Sequence, residues 1–394
     1  MVLLFALSVG WPQHAAAGQR STDRRKPIPV PLLPAEQTWS VALASPPSAG
    51  GAIDHARVYV PLQGGQLVAL NRVSGVIEWS ISIDSRWPPL VNGGVVYVAG
   101  TSDVQALTAT DGSLLWRAPL EADLMASLAI GDGLLLAPTR SNDVLAFRTV
   151  DGQRAWMQRL AGEPTEAAIA AGEAGIYVSF GSRLMRLDPA DGALLWERDL
   201  PGSLGRPALA PGYVFVGSTD NHLYALATET GRLAWRWRAG GDVVGAVSDG
   251  RLVYVASLDN LLRALHRASG NQAWQRALST RPVSPPVAFG GVVVLGGNDP
   301  TLATFDATTG NPIGTFAAPA DLQGVPLVDA APKPFEVAIV AITRDGRAIG
   351  LQPVGMMFRE LAPLPLQTLP GRPLQREPRS TPNAPTPPKA QAIR

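Results

Sequence analysis

The chain has 394 residues, 46% of them hydrophobic and only 16% charged, with 40 glycines and 36 prolines; that balance describes a folded body with many turns and not a disordered chain. It contains no cysteine, which excludes disulfide scaffolds, thiolate zinc sites and thiol nucleophiles and, for the chain as written, an anchor lipid carried on cysteine. The formal net charge is +1, but residues 37–357 hold 23 basic against 28 acidic groups, a balance that argues against a nucleic-acid-binding core.

Residues 2–9 (VLLFALSV) are apolar, and Ala15, Ala16 and Ala17 follow. An apolar stretch ending in small residues predicts a secretory signal over 1–17. Residues 18–36 are basic and then proline-rich, which predicts an extended linker.

From there a tryptophan recurs every 37–40 residues, at Trp39, Trp79, Trp116, Trp156, Trp196, Trp235 and Trp274. From the second onward a glycine stands four residues earlier, at Gly75, Gly112, Gly152, Gly192, Gly231 and Gly270. A further unit, TGNPIGTF, carries Gly310 and ends in Phe316. Such a period marks a solenoid or a propeller. Within one unit, at 213–237, a β-branched run is followed by a polar turn (Ser218–Asn221), a second run (Leu223–Leu226), a Gly-containing turn and a third run ending in the tryptophan. These are short strands separated by turn chemistry, and a further apolar segment such as Ala208–Ala210 starts each unit. Four strands in about 40 residues predict a propeller blade.

Seven complete units end at Trp79 through Phe316. Residues 322–352 supply inner strands without a tryptophan strand, and Thr38–Leu43 is a tryptophan strand without a blade. Their pairing predicts an all-β, eight-bladed propeller of four-stranded antiparallel blades over 37–357, closed by the N-terminal strand. Residues 358–394 are rich in proline and basic groups and predict a disordered tail. No stretch after the leader reaches the length of apolar residues that a membrane span needs.

Chemistry-bearing patterns are scarce. The four histidines, His14, His55, His222 and His266, have no metal-ligand spacing. Neither a nucleophile elbow nor a phosphate-binding loop occurs. Asp/Asn-rich spots such as Asp220-Asn221 and Asp259-Asn260 share one position in each unit with Gly64-Gly65 and Asp345-Gly346, so they read as turns and not as calcium loops. One tryptophan per unit at constant phase reads as packing between blades. Trp87 and Trp237 are out of phase. Trp87 lies in a connection, SRWPPL, where it either packs or anchors a partner.

The order of a VYV strand, a polar turn, an LYAL strand and then TG…W resembles the quinoprotein-like (PQQ-like) propeller repeat over residues 38–355, and within that group the chain is similar to the BamB family. The resemblance implies a monomeric, periplasmic, outer-membrane-associated scaffold that catalyses nothing, holds no cofactor or metal, and assists assembly of outer-membrane β-barrel proteins by docking on the barrel-assembly machinery. It implies that an arginine and acidic residues in adjacent inter-blade connections contact that partner. Arg206 and Asp242 are the matching positions, with Gly240 where the family has a second acidic residue. The family's lipidated N-terminal cysteine has no counterpart in the chain as written. Two other readings stay open. A quinone-dependent dehydrogenase would need a calcium shell and long insertions that a period near 39 leaves no room for. A secreted ligand-binding propeller is the second.

Overall fold

The computed structural model describes residues 35–161, 167–172, 175–296, 299–330 and 337–353. The expected signal segment, nearly all of the expected linker and the expected tail lie outside them. Among the described residues there are thirty-two β-strands and no helix. They form eight four-stranded antiparallel sheets, so the expected eight-bladed propeller is what the chain builds.

Blade 5 shows how sequence becomes blade. Its strands are Ala208–Ala210, Tyr213–Gly217, His222–Ala227 and Leu233–Arg238, hydrogen-bonded in that order. The first strand is innermost, since the first strands of successive blades contact one another around the axis. The second and third strands are covered on both faces by neighbouring blades. They therefore read as continuous apolar runs (VFV, LYAL) and not as alternation. The fourth strand, on the circumference, has one face in solvent and alternates: in LAWRWR both tryptophans are half-buried and both arginines exposed.

Each outer strand carries a bulge at one fixed register, immediately before the tryptophan in every blade but the seventh. In blade 5 Ala225 pairs with Trp235 and Leu226 with Leu233, so Ala234 is the extra residue. The same shift occurs in blades 1–4 and 6–7, and in blade 8 between Gln37 and Trp39. A bulge re-aims the side chain that follows it. Here it turns the indole toward the next blade, where Nε1 donates to a backbone carbonyl: Trp79 to Ala109, Trp116 to Thr149, Trp156 to Pro189, Trp196 to Thr228, Trp235 to Arg267 and Trp274 to Ala307, at 2.8–3.1 Å. The indole also lies against the turn glycine of that next blade, as Trp156 does against Gly192. Each tryptophan thus fastens its blade to the following one.

Blade 7 differs from the sequence expectation. The residue in the tryptophan register is Gly314, paired with Thr304, and Phe316 stands two residues further on. The physical reason is topological. A tryptophan here would need the hairpin between the third and fourth strands of blade 8, and those strands come from opposite ends of the described chain: Ala35–Ala42 pairs with Arg347–Pro353. With no such hairpin there is no carbonyl and no glycine to receive an indole. The ring closes through that shared blade. Trp39 Nε1 donates to the Arg72 carbonyl of blade 1 at 2.9 Å, and Leu43 N–H to the Gly346 carbonyl at 2.8 Å.

Candidate functional site

Antiparallel up-and-down connectivity puts the loops on two rims. One rim gathers the connections from each outer strand to the next blade together with the hairpins between second and third strands. Arg206, Asp242 and Trp87 all lie on this rim.

Arg206 stands two residues before the innermost strand of blade 5, on a connection pinned by Leu204 N–H to the Gly181 carbonyl and Gly205 N–H to the Gly217 carbonyl. Its side chain is exposed and makes no ion pair or hydrogen bond among the described residues. Desolvation by the surrounding protein holds its guanidinium below the ordinary value, although an arginine stays charged at neutral pH. Asp242 precedes the innermost strand of blade 6. It is half-buried, its backbone carbonyl accepts Leu258 N–H at 2.9 Å, and its carboxylate is unpaired among the described residues. The two residues therefore sit near the axis on neighbouring connections, each with a charge that nothing described neutralises.

Trp87 sits on the connection between blades 1 and 2, across the ring. It packs against the buried cluster of Tyr97, Val104, Leu120 and Leu128. Its backbone is tied to Ser85, whose Oγ donates to the Trp87 carbonyl at 3.0 Å. Trp87 also lines a cleft together with Asp84, Arg86, Asp123, Leu124 and Arg140.

Sequence reasoning missed Asp259. The resemblance puts an acidic residue where this chain has Gly240, and the carboxylate of Asp259 accepts the Gly240 N–H at 2.9 Å. It arrives from the blade 6 hairpin, in a string, Asp259-Asn260, that reads only as turn chemistry. Its partner is Arg263, a buried guanidinium 2.6 Å away that also stacks over the Trp237 ring at 4.8 Å. That contact gives the out-of-phase Trp237 its place. Burial raises the Asp259 pKa, but hydrogen bonds from Arg263, Ser257 and the Gly240 N–H outweigh it and set the pKa at about 2. A carboxylate depressed in the folded state stabilises the fold fully above its unfolded value near 4, and that contribution is lost as pH falls toward about 2. Asp259→Asn is expected to be less stable than the parent at pH 6 and to converge with it by pH 2, as read by urea unfolding at both pH values. A constant gap would show that Asp259 titrates normally.

The Asx-rich hairpins are turns, that of Asp259-Asn260 included. Asn142, Asn221 and Asn260 occupy positive φ (63°, 68° and 59°), and Asp220 Oδ1 accepts the His222 N–H. Among the described residues no three His, Cys, Asp or Glu side chains group as a metal site. A quinone held with calcium at the axis needs a cage of oxygen donors. The eight innermost strands, such as AI, AIG, ALA and VAF, contain a single carboxylate, Asp329, and a single amide, Asn92. That donor set does not fit the group.

Comparison with known proteins agrees with this fold. A family model described as outer membrane protein assembly factor BamB matches residues 34–177 and 181–349. The BamB protein of Burkholderia pseudomallei is 24% identical over 370 residues, covering 86% of this chain and 94% of that protein. BamB of Yersinia pestis is 24% identical over 216 residues, 49% of this chain and 54% of that one. A tetrathionate hydrolase of Acidithiobacillus ferrooxidans is 30% identical over 158 residues, but these are 39% of this chain and only 28% of the hydrolase. Among solved structures, BamB from Moraxella catarrhalis aligns with a TM-score of 0.60 at 18% identity, over 81% of this chain and 99% of that one. The computationally designed Ika8 protein aligns at 0.64 and 13%, over 79% and 98%. At such identities the structural likeness speaks for the fold alone.

Proposed function

We infer the function from one premise: this chain belongs to the family of the outer membrane protein assembly factor BamB. It is accordingly a BamB-like propeller of outer membrane assembly. Its finer role, on our reading, is that of a periplasmic scaffold that catalyses nothing and docks on the machinery inserting β-barrels into the outer membrane. The observation that carries this is a pair of charges, Arg206 and Asp242, unneutralised among the described residues on adjacent connections near the axis of one rim. An exposed arginine and a half-buried carboxylate without partners among the described residues are the groups that a complementary surface pairs with, setting register and on-rate. The short connections, the poverty of oxygen donors at the axis and the small share of the hydrolase that is matched favour a scaffold over an enzyme.

The test is affinity capture of the tagged chain from a native envelope. The parent is expected to bring down the barrel-insertion machinery, and the Arg206→Glu/Asp242→Lys double variant to recover about tenfold less, a loss of roughly 1.4 kcal/mol, with an unchanged melting temperature. Equal recovery by the two proteins would overturn the assignment of these residues.

A further inference from the structure

We propose that the cleft formed by the connections between blades 1, 2 and 3, across the ring from Arg206 and Asp242, is a second docking site. It takes an extended segment of a partner protein in which one basic side chain is flanked by acidic ones. The proposal rests on the reading that this rim faces a protein partner, and extends it to a separate place and chemistry.

The cleft has a volume of about 200 Å³ and is lined by Asp84, Arg86, Trp87, Asp123, Leu124 and Arg140. Three stretches of chain build it. Asp84, Arg86 and Trp87 come from the first connection, Asp123 and Leu124 from the next, and Arg140 from the blade 3 hairpin, which is fastened to that connection by Arg140 N–H to the Asp123 carbonyl at 2.8 Å. All four charged side chains are exposed, and none makes an ion pair or a hydrogen bond among the described residues. Their neighbours behave differently. Arg117 pairs with Asp103 at 3.1 Å, Arg154 with Glu121 at 2.6 Å, and Arg159 with Asp143. Two carboxylates and two guanidiniums therefore converge on one concavity without neutralising each other.

Size and charge select the occupant. Pockets for whole cofactors and drug-sized molecules run to about 300–1,000 Å³, so this cleft admits roughly one long side chain. A ligand of one sign would meet two like charges, whereas a segment carrying both signs can satisfy all four. The central residue is basic because Trp87 lines the cleft beside Asp84 and Asp123, and a cation that meets an indole there gains a cation–π attraction in addition to the two carboxylates. The flanking acidic residues then meet Arg86 and Arg140. The anchor is already ordered, since Trp87 packs on the blade 2 core and its backbone is tied to Ser85. Little side-chain freedom remains to be lost on binding.

Fluorescein-labelled peptides on the full chain test this by anisotropy. Gly-Glu-Leu-Arg-Leu-Glu-Gly is expected to bind about tenfold more tightly than its charge-inverted counterpart Gly-Arg-Leu-Glu-Leu-Arg-Gly. Asp123→Asn and Arg140→Ala, both at exposed positions that leave folding intact, should each weaken the first peptide by about fivefold, and Trp87→Ala by more. Arg206→Glu should leave it unchanged. Equal affinity for the two peptides, no binding of either, or indifference to Asp123→Asn and Arg140→Ala overturns the proposal. If the charge pattern holds while Arg206→Glu/Asp242→Lys still captures the insertion machinery normally, the docking residues proposed above are wrong and the cleft stands. The opposite pair of results overturns the cleft alone.

Discussion

Removing residues 35–42 is expected to abolish cooperative unfolding of the propeller. That strand pairs with Arg347–Pro353 from Ala35↔Pro353 to Ala42↔Arg347, and it carries the only indole that fastens blade 8 to blade 1 among the described residues. Without it the Arg347–Pro353 strand becomes an open edge, and buried Ala348 and Val340, which share a cluster with Trp39, are uncovered. Truncating a buried tryptophan alone costs about 3–5 kcal/mol, so Trp39→Ala should lower the melting temperature clearly. Loss of the entire strand adds the ladder and the other side chains, and approaches the ~5–15 kcal/mol that holds a typical protein folded. Thermal unfolding followed by far-UV circular dichroism and tryptophan fluorescence should change from one sharp transition to a broad, aggregating one. A melting temperature equal to the parent's would mean that the ring does not close through this strand.

The second large effect separates two roles of glycine. Gly192 has φ +76°, and a Cβ built on it would stand 2.6 Å from Trp156 Cε3. Gly212 has φ +81° with nothing within 4 Å of such a Cβ. Gly212→Ala therefore meets only the left-handed backbone penalty of about 1–2 kcal/mol. Gly192→Ala adds overpacking against the indole, about 1–3 kcal/mol more. Chemical denaturation of both variants should rank Gly192→Ala as the less stable by that margin. Pairing it with Trp156→Phe, which opens space at the contact, should shrink the excess and leave the backbone part. Equal losses for the two glycines would show that the tryptophan does not press on the turn.

The fold was legible because it is written many times over. Continuous apolar pairs of inner strands, an alternating outer strand and one tryptophan at constant phase recur until blade count and shared last blade follow from the chain itself. What the repetition hides is anything decided by a single residue of register. Phe316 looks like the missing tryptophan of blade 7, yet the bulge at Thr304/Phe305 sets Gly314 in that place. At the rim, chain order is enough to put Arg206, Asp242 and Trp87 on connections of one side. It cannot reveal that the Asp259 carboxylate meets Gly240, because that contact joins a hairpin to a connection nineteen residues away. Nor does spacing show that Arg86 and Arg140, more than fifty residues apart, line one concavity with Asp84 and Asp123.

The two attachments of the first strand differ greatly in sequence distance. Trp39 reaches the Arg72 carbonyl across 33 residues, whereas Thr38 Oγ1 reaches the Gly350 carbonyl across 312. As the chain emerges N-terminal end first, the indole can settle on blade 1 long before the last blade exists, so the first strand waits already oriented. The entropy of closing so long a loop is then met in stages, as blade after blade is latched to its predecessor. The final event becomes the capture of one half-finished sheet by a strand held ready for it, not a search between two free ends.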